Sequence, residues 1–198
     1  MTVRPQPATE ADIPHLVRLY IMAMGGLMDR VYADLVAADT PLETLLEWQF
    51  TQIGSVKSYE YCLIAHQDHQ IAGMIYAFPI GRLKEAPSDA RVTAEGLNYL
   101  APALELRHQI EAKSYYIGAV AVYPEFRGGG IGRRLLETAA LDAQSLGLPE
   151  LSLLSFEQNE LATSLYRRLN FEVTGRSRVI PHPLIRYAGD LLLMRRKL

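Results

Sequence analysis

The chain predicts an α/β fold built on a mixed sheet. Three observations carry that prediction. Short runs of strand type recur along the chain, and segments with apolar residues three and four apart separate several of them. Two adjacent strand runs, residues 59–66 and 71–78, flank the polar turn Gln67-Asp68-His69 and read as an antiparallel hairpin. The resulting order is β-α-α-β-β, a long excursion, then β-α-β-α-β-β.

A first strand is expected over residues 2–6. Thr9 and Asp12 have the spacing of a capping box, and Ile13, Leu16, Val17 and Tyr20 mark an amphipathic helix that stops near Gly25-Gly26. A second helix starts at Thr40 as N-cap, with Pro41 in its first turn and Glu43 as reciprocal cap. It aligns Leu42, Leu45, Leu46, Gln49, Phe50 and Ile53 along one side. After the hairpin, residues 79–113 form an excursion punctuated by Pro87, Ser88, Gly96 and Pro102, with one short helix expected near residues 103–111. Strong patterns then resume. Residues 114–122 predict a strand, and residues 130–146 a helix with Ile131, Leu135, Ala139 and Ala143 at four-residue intervals and Gly147 as its stop. A strand over 151–155, a helix over 158–169 and strands over 171–179 and 190–196 complete the order.

Composition bounds the function. No linker, charge block, low-complexity tract or repeat divides the 198 residues, so one domain over 1–198 is expected, with 49% hydrophobic content to fill its core. A net charge of −2 argues against a nucleic-acid binder. Arg127, Arg133, Arg134, Arg167 and Arg168 cluster locally, which suits a compact anionic ligand. The single cysteine, Cys62, lies in an apolar run and reads as a core residue of a protein from a reducing compartment. The N-terminus has no apolar signal core and no apolar run reaches membrane-spanning length, so a soluble cytoplasmic protein is the expectation. His66 and His69 flank a turn and lack companions for a metal site, so no metal is expected. A homodimer through the C-terminal strand pair is compatible with the pattern.

The most informative stretch is Ala119 to Gly132, an apolar strand that runs through Pro124 into a glycine-dense basic loop at the start of a helix. Glycines let backbone approach phosphate oxygens, and the free amides of a helix start point at the anion. Two phosphate motifs fail. A GxGxxG fingerprint meets Arg133 or Leu135 at its last position, and a Walker A loop needs Gly-Lys-Ser/Thr where Gly132-Arg133-Arg134 stands. A plain β-to-α turn is the bland reading. What the loop does match is RxxGxG, as Arg127-Gly128-Gly129-Gly130-Ile131-Gly132, preceded by Val122-Tyr123-Pro124-Glu125-Phe126. Downstream stand Asn159, Ala162, Leu165, Tyr166 and Phe171. Together these motifs resemble the GNAT N-acetyltransferase superfamily over residues 114–171.

The resemblance implies a three-layer fold with a mixed, mostly antiparallel sheet of about six to seven strands flanked by helices. It implies acetyl-coenzyme A as co-substrate, bound by the backbone of Gly128, Gly129, Gly130, Ile131, Gly132 and Arg133, with Arg127 and Arg133 as candidate phosphate partners. It also implies that Val120, Ala121 and Val122 pair with the pantetheine amides, with Asn159 and Ala162 lining the site. Tyr166 would protonate the leaving thiolate after direct attack by a primary amine. Asn159 and Tyr166 are seven apart, which puts them on one helix face with Ala162 between. Many relatives carry a glutamate on the strand before the loop, whereas this chain has Tyr115-Tyr116-Ile117-Gly118-Ala119. The base is therefore open among Glu105, His108, Glu111, Tyr116 and water. That gap leaves a non-catalytic acyl-coenzyme A binding or sensing module as the alternative function. The acceptor stays open among small amines and peptides. The acids Asp29, Asp34, Asp39 and Glu43 could attract a cationic amine or simply be helix-end charges.

Overall fold

A computed structural model describes residues 3–85 and 89–198, with the side chains of 84 and 85 outside the description. Thr2 of the expected first strand, and Pro87 and Ser88 of the excursion, lie outside the described residues. Among the described residues the strands form one seven-stranded sheet in the order β1-β2-β3-β4-β5-β7-β6. They are β1 (Pro5–Pro7), β2 (Cys62–Gln67), β3 (Gln70–Pro79), β4 (Ser114–Val122), β5 (Glu150–Phe156), β6 (Glu172–Arg178) and β7 (Asp190–Lys197). Only β4 and β5 run parallel; the other neighbours are antiparallel. The expected mixed, mostly antiparallel α/β architecture is the one observed.

Helices cover both faces. On one, α1 (Ile13–Met24), α2 (Leu27–Val31), α4 (Leu42–Phe50) and α5 (Ala94–His108) bury Leu16, Leu19, Leu46, Phe50 and Leu106 against β-strand residues such as Met74, Phe78 and Leu193. On the other, α6 (Ile131–Ser145) and α7 (Glu160–Arg168) bury Leu135, Leu136, Ala139 and Tyr166 over Ile75, Ile117, Leu153 and Leu192. Alternation along the strands supplies both cores: Tyr116 faces the first, and Tyr115 and Ile117 face the second.

Several elements differ from the sequence pattern. The expected capping box is present, the Thr9 amide and hydroxyl both donating to the Asp12 carboxylate at 2.7 Å, but it caps a short 3₁₀ turn ahead of α1. Two five-residue helices, α2 and α3 (Ala33–Ala37), fill what reads as a connection between the first two helices. Helix α4 is preceded by an extended Pro41 with no side-chain cap, so Thr40 does not cap it, and Ile53 lies beyond its end, exposed. Residues 59–61 form a 3₁₀ turn ahead of β2. Within the excursion, the helix spans fifteen residues and starts earlier than expected, because the Thr93 hydroxyl accepts from the Gly96 amide and buried Pro102 sits inside the helix.

Candidate active site

The site begins where β4 leaves β5. Their parallel pairing runs from Ser114↔Glu150 to Ile117↔Leu153 and stops there, while β5 continues against β7 through Phe156↔Leu191. The cause lies on the other side of β4. Tyr76 pairs with Ala119 and Ala77 with Ile117, so Gly118 is the extra residue of a β-bulge. A Cβ at Gly118 would stand 2.7 Å from two atoms of the Tyr76 ring, so only glycine lets this ring pack under the bulge. The bulge bends β4 and leaves its edge over Gly118–Val122 open toward β5.

Which backbone groups face that opening follows from the ladder. The Tyr123 amide donates to the Ala72 carbonyl at 2.9 Å, which fixes the alternation. Ala121 then turns its backbone groups to β3, and Val120 and Val122 turn theirs to the gap. The Arg127 Nε–H donates to the Val122 carbonyl at 3.1 Å, consistent with that direction. Of the three strand residues expected to offer free groups, Val120 and Val122 do so, and the Val122 carbonyl is already engaged.

The glycine loop follows a 3₁₀ turn at Pro124–Phe126. Gly128 and Gly130 adopt φ of +86° and +77°, and a Cβ at either would meet nothing within 4 Å, so the space beside both glycines is open. Gly130 is the N-cap of α6, whose first amides have no intrahelical acceptor. Ile131 buries its side chain in the core and presents only its amide. Gly132 faces Leu165 of α7, with a Cβ there 3.3 Å from Leu165 Cδ2. Neither candidate phosphate-binding arginine reaches over the loop: Arg127 folds back to Val122 and Met22, and the Arg133 Nε–H donates to Glu137 at 2.7 Å along the exposed side of α6. The donors left at the loop are therefore backbone amides.

Helix α7 lies beside this loop. Asn159 is its N-cap, and its Oδ1 accepts from the Ala162 amide at 3.3 Å, so its carbonyl serves the helix and its NH₂ remains for a ligand. Tyr166 is buried against Phe171, ring centroids 5.8 Å apart, and burial raises its phenol above the ordinary tyrosine range. A phenol held protonated is an acid in waiting.

On the opposite face, Tyr20, Phe50, Tyr76, Phe78 and Tyr116 form a chain of edge-on and tilted rings 5.2 to 6.3 Å apart. Burial pushes Tyr20 up to about 12 and raises Tyr116. The proposed bases separate: Glu105 is exposed and accepts from the Ser177 hydroxyl at 2.6 Å, His108 and Glu111 are exposed, and Tyr116 is buried. Cys62 is buried, and burial raises its thiol, as expected for a core cysteine. Sequence reasoning missed the return of residues 180–189 to α1. The Arg186 amide donates to the Gly25 carbonyl, Tyr187 packs on Phe156 at 5.3 Å, and a cavity of about 360 Å³ opens between Arg18, Met22, Asp29 and Arg186 beside Arg127. The Gly25-Gly26 pair was the available signal, since a Cβ at Gly26 would overlap the Leu184 carbonyl. Among the described residues no group of three or more metal-ligating side chains converges, and no helix is long and apolar enough to cross a membrane.

Comparison with known proteins agrees with this geometry. The model of the acetyltransferase (GNAT) family matches residues 28–171. The peptidyl-lysine N-acetyltransferase YjaB of Escherichia coli K12 is 40% identical over 77 residues, 37% of this chain and 49% of that protein. The chain thus spans about half the length of the curated relatives it matches. An N-acetyltransferase structure from Staphylococcus aureus Mu50 superposes with a TM-score of 0.66 at 18% identity, covering 98% of this chain and 100% of that one. The yncA structure from Salmonella typhimurium, solved with its cofactor acetyl-CoA, superposes with a TM-score of 0.59 at 19% identity, covering 100% and 95%. These likenesses show the fold.

Proposed function

Because the chain belongs to the acetyltransferase (GNAT) family, we propose that it transfers an acetyl group from its co-substrate acetyl-CoA to a primary amine by direct attack. The observation that carries this reading is the edge of β4 left open beyond Ile117, followed by a glycine loop with open space beside Gly128 and Gly130 at the start of α6. The fit is chemical. Pyrophosphate needs several donors and no side-chain bulk, which the amides of Gly128 to Arg133 at the α6 N-terminus supply, each favourable charge interaction there being worth about 0.3–1 kcal/mol. Pantetheine amides need strand-like partners, which Val120 and Val122 supply. A related solved structure carries acetyl-CoA, which supports the choice of co-substrate.

The amine nitrogen attacks the thioester carbonyl carbon, and a backbone N–H near Val120 stabilises the oxyanion, a role worth about 2.7–4 kcal/mol where single donors have been removed. Collapse breaks the C–S bond, and Tyr166 gives its proton to the departing sulfur. The amine's surplus proton leaves to water, since β4 carries no carboxylate at residues 115–119. Residues 1–198 act as one domain in this reading, because the single sheet joins elements from both ends of the chain. The curated relatives are named for peptidyl-lysine, which makes a lysine side chain one acceptor to test.

The test is thiol release from acetyl-CoA with a panel of amines, beside equilibrium binding of coenzyme A. Amine-dependent thiol release is expected. Tight coenzyme A binding with no release for any amine would favour the acyl-coenzyme A sensing alternative.

A further inference from the structure

The cavity of about 360 Å³ closed by the return of residues 180–189 stands across the mouth of the gap between β4 and β5. On the β4 side its wall is Met22, whose Sδ lies 3.6 Å from Arg127 Nη2, and the Nε–H of the same guanidinium donates to the Val122 carbonyl. On the β5 side its wall is Gly25. A Cβ there would lie 3.0 Å from the Tyr187 ring and 3.8 Å from the ring of Phe156, the last residue of β5. Met22 and Gly25 thus join the cavity to the two strands between which the thioester lies in the acetyltransferase reading. Backbone holds its outer side in place: the Arg186 amide donates to the Gly25 carbonyl at 2.9 Å, and the Leu184 carbonyl occupies the space that a Cβ at Gly26 would need. Its volume suits a small molecule.

Charged side chains of both signs line this cavity: Arg18, Arg186 and Asp29. Arg18 spends one N–H on the Pro14 carbonyl of its own helix at 3.1 Å. The Arg186 guanidinium and the Asp29 carboxylate make no hydrogen bond or ion pair among the described residues. Opposite charges therefore share the cavity without pairing, and a ligand that carries both signs finds a partner for each. The charge count narrows the ligand further. Asp29 matches one ammonium, which leaves two guanidiniums in the wall, with Arg127 beyond them at the rim against Met22. An anion that balances two guanidiniums carries two charges. A phosphate monoester has close to that charge at neutral pH and three acceptor oxygens, enough for two guanidinium forks, whereas a carboxylate is satisfied by one. Arg18 and Arg186 are exposed, so their field also acts on the ligand as it approaches and is weakened by salt.

We propose that the acceptor is a small amine bearing a phosphate group, its phosphate bound by Arg18 and Arg186 and its amine drawn in by Asp29. The proposal rests on the acetyltransferase reading above. Thiol release from acetyl-CoA is measured with O-phosphoethanolamine, beside ethanolamine, β-alanine and a lysine peptide amidated at its C-terminus. The phosphate is expected to exceed ethanolamine by about 10- to 100-fold in kcat/KM, as charged hydrogen bonds allow, with β-alanine between them. Arg18→Gln and Arg186→Gln each raise KM for the phosphate by about tenfold and leave KM for ethanolamine and the affinity for coenzyme A as in the wild type. Both side chains are exposed, so neither substitution moves the melting temperature. Equal use of ethanolamine, β-alanine or the peptide by the wild type, or a phosphate preference that survives both substitutions, overturns the proposal. A matching loss of coenzyme A affinity in the two variants also overturns it, because the arginines would then serve the donor. If no amine releases thiol, the acetyltransferase reading fails by itself. The site is then read by calorimetry of phosphocholine, which carries both charges and no N–H to acetylate, in the presence of coenzyme A. Binding weakened in Arg186→Gln and in Asp29→Asn supports the site; no binding, or equal binding in the variants, overturns it.

Discussion

Gly118→Ala tests whether the bulge creates the gap between β4 and β5. The added Cβ would stand 2.7 Å from Cδ1 and Cε1 of Tyr76, against an optimum carbon–carbon separation of about 3.5–4.0 Å. The ring must therefore recede by roughly 1 Å. It has little freedom to do so: its hydroxyl is tied to the Val56 carbonyl at 2.8 Å, and it packs against Tyr20, Phe50 and Phe78 at 6.2, 6.3 and 5.2 Å between centroids. Overpacking of this kind costs about 1–3 kcal/mol. For a chain of this size that lowers Tm by about 2–12 °C. Relief by flattening the bulge would extend β4–β5 pairing and close the free edge, so affinity for coenzyme A falls along with stability. Thermal melting and coenzyme A titration read both effects. The double variant Gly118→Ala/Tyr76→Leu removes the ring that the methyl strikes, and its ΔΔG is expected to be smaller than the sum of the singles. An unchanged Tm and affinity in Gly118→Ala, or strictly additive effects in the double variant, would refute the reasoning.

Two further predictions concern pH. With no carboxylate at residues 115–119 of β4, and with the Tyr20 and Tyr116 phenols raised by burial and so protonated at neutral pH, the proposed route gives the acceptor amine's proton to solvent. A profile of kcat/KM should then climb about tenfold per pH unit until the acceptor's own amine pKa, which for a lysine side chain is about 10.4. A plateau above pH 6–7 that is the same for every acceptor would reveal a protein base instead. Asp89 provides the second. Burial opposes its ionisation, but hydrogen bonds from Arg91 and Tyr32 outweigh this and hold it at about 2, below the ordinary 3.8. Its folded pKa is depressed, so its contribution is full above pH 4 and is lost as pH falls from about 4 to 2. Screened by solvent, that contribution is about 1 kcal/mol. Urea midpoints should fall less steeply over this window in Asp89→Asn than in the wild type, and identical slopes would contradict the assignment.

Local signals were legible and cross-strand ones were not. The β4-loop-α6 unit could be read because each of its parts is short-range: an alternating strand, glycines at positive φ, and an apolar stripe on the helix. Spacing put Asn159 and Tyr166 on one helix, whereas Asn159 is the non-helical N-cap of α7 and only Tyr166 lies within it. The small helices α2 and α3 were hidden because five residues are too few to show a period. Pro102 read as punctuation, although it lies buried within α5. Gly118 inside a strand was itself a sign of a bulge, but its consequence depends on Tyr76, forty-two positions away in the chain and paired across the ladder. The directions taken by Arg127 and Arg133 depend on partners at Val122 and Glu137 that nothing in a motif specifies. The chain of rings from Tyr20 through Tyr76 and Phe78 to Tyr116 is further from view still, since it unites α1, β3 and β4.

The central claim of the proposed mechanism is that Tyr166, held protonated by burial, delivers a proton to the departing thiolate. Thiol release and coenzyme A affinity measured side by side for the wild type and Tyr166→Phe test it most directly, because phenylalanine keeps the ring packing against Phe171 and removes only the hydroxyl. The expected result is a fall in kcat of about 10²- to 10⁴-fold with coenzyme A affinity unchanged. Turnover equal to wild type in Tyr166→Phe would contradict it.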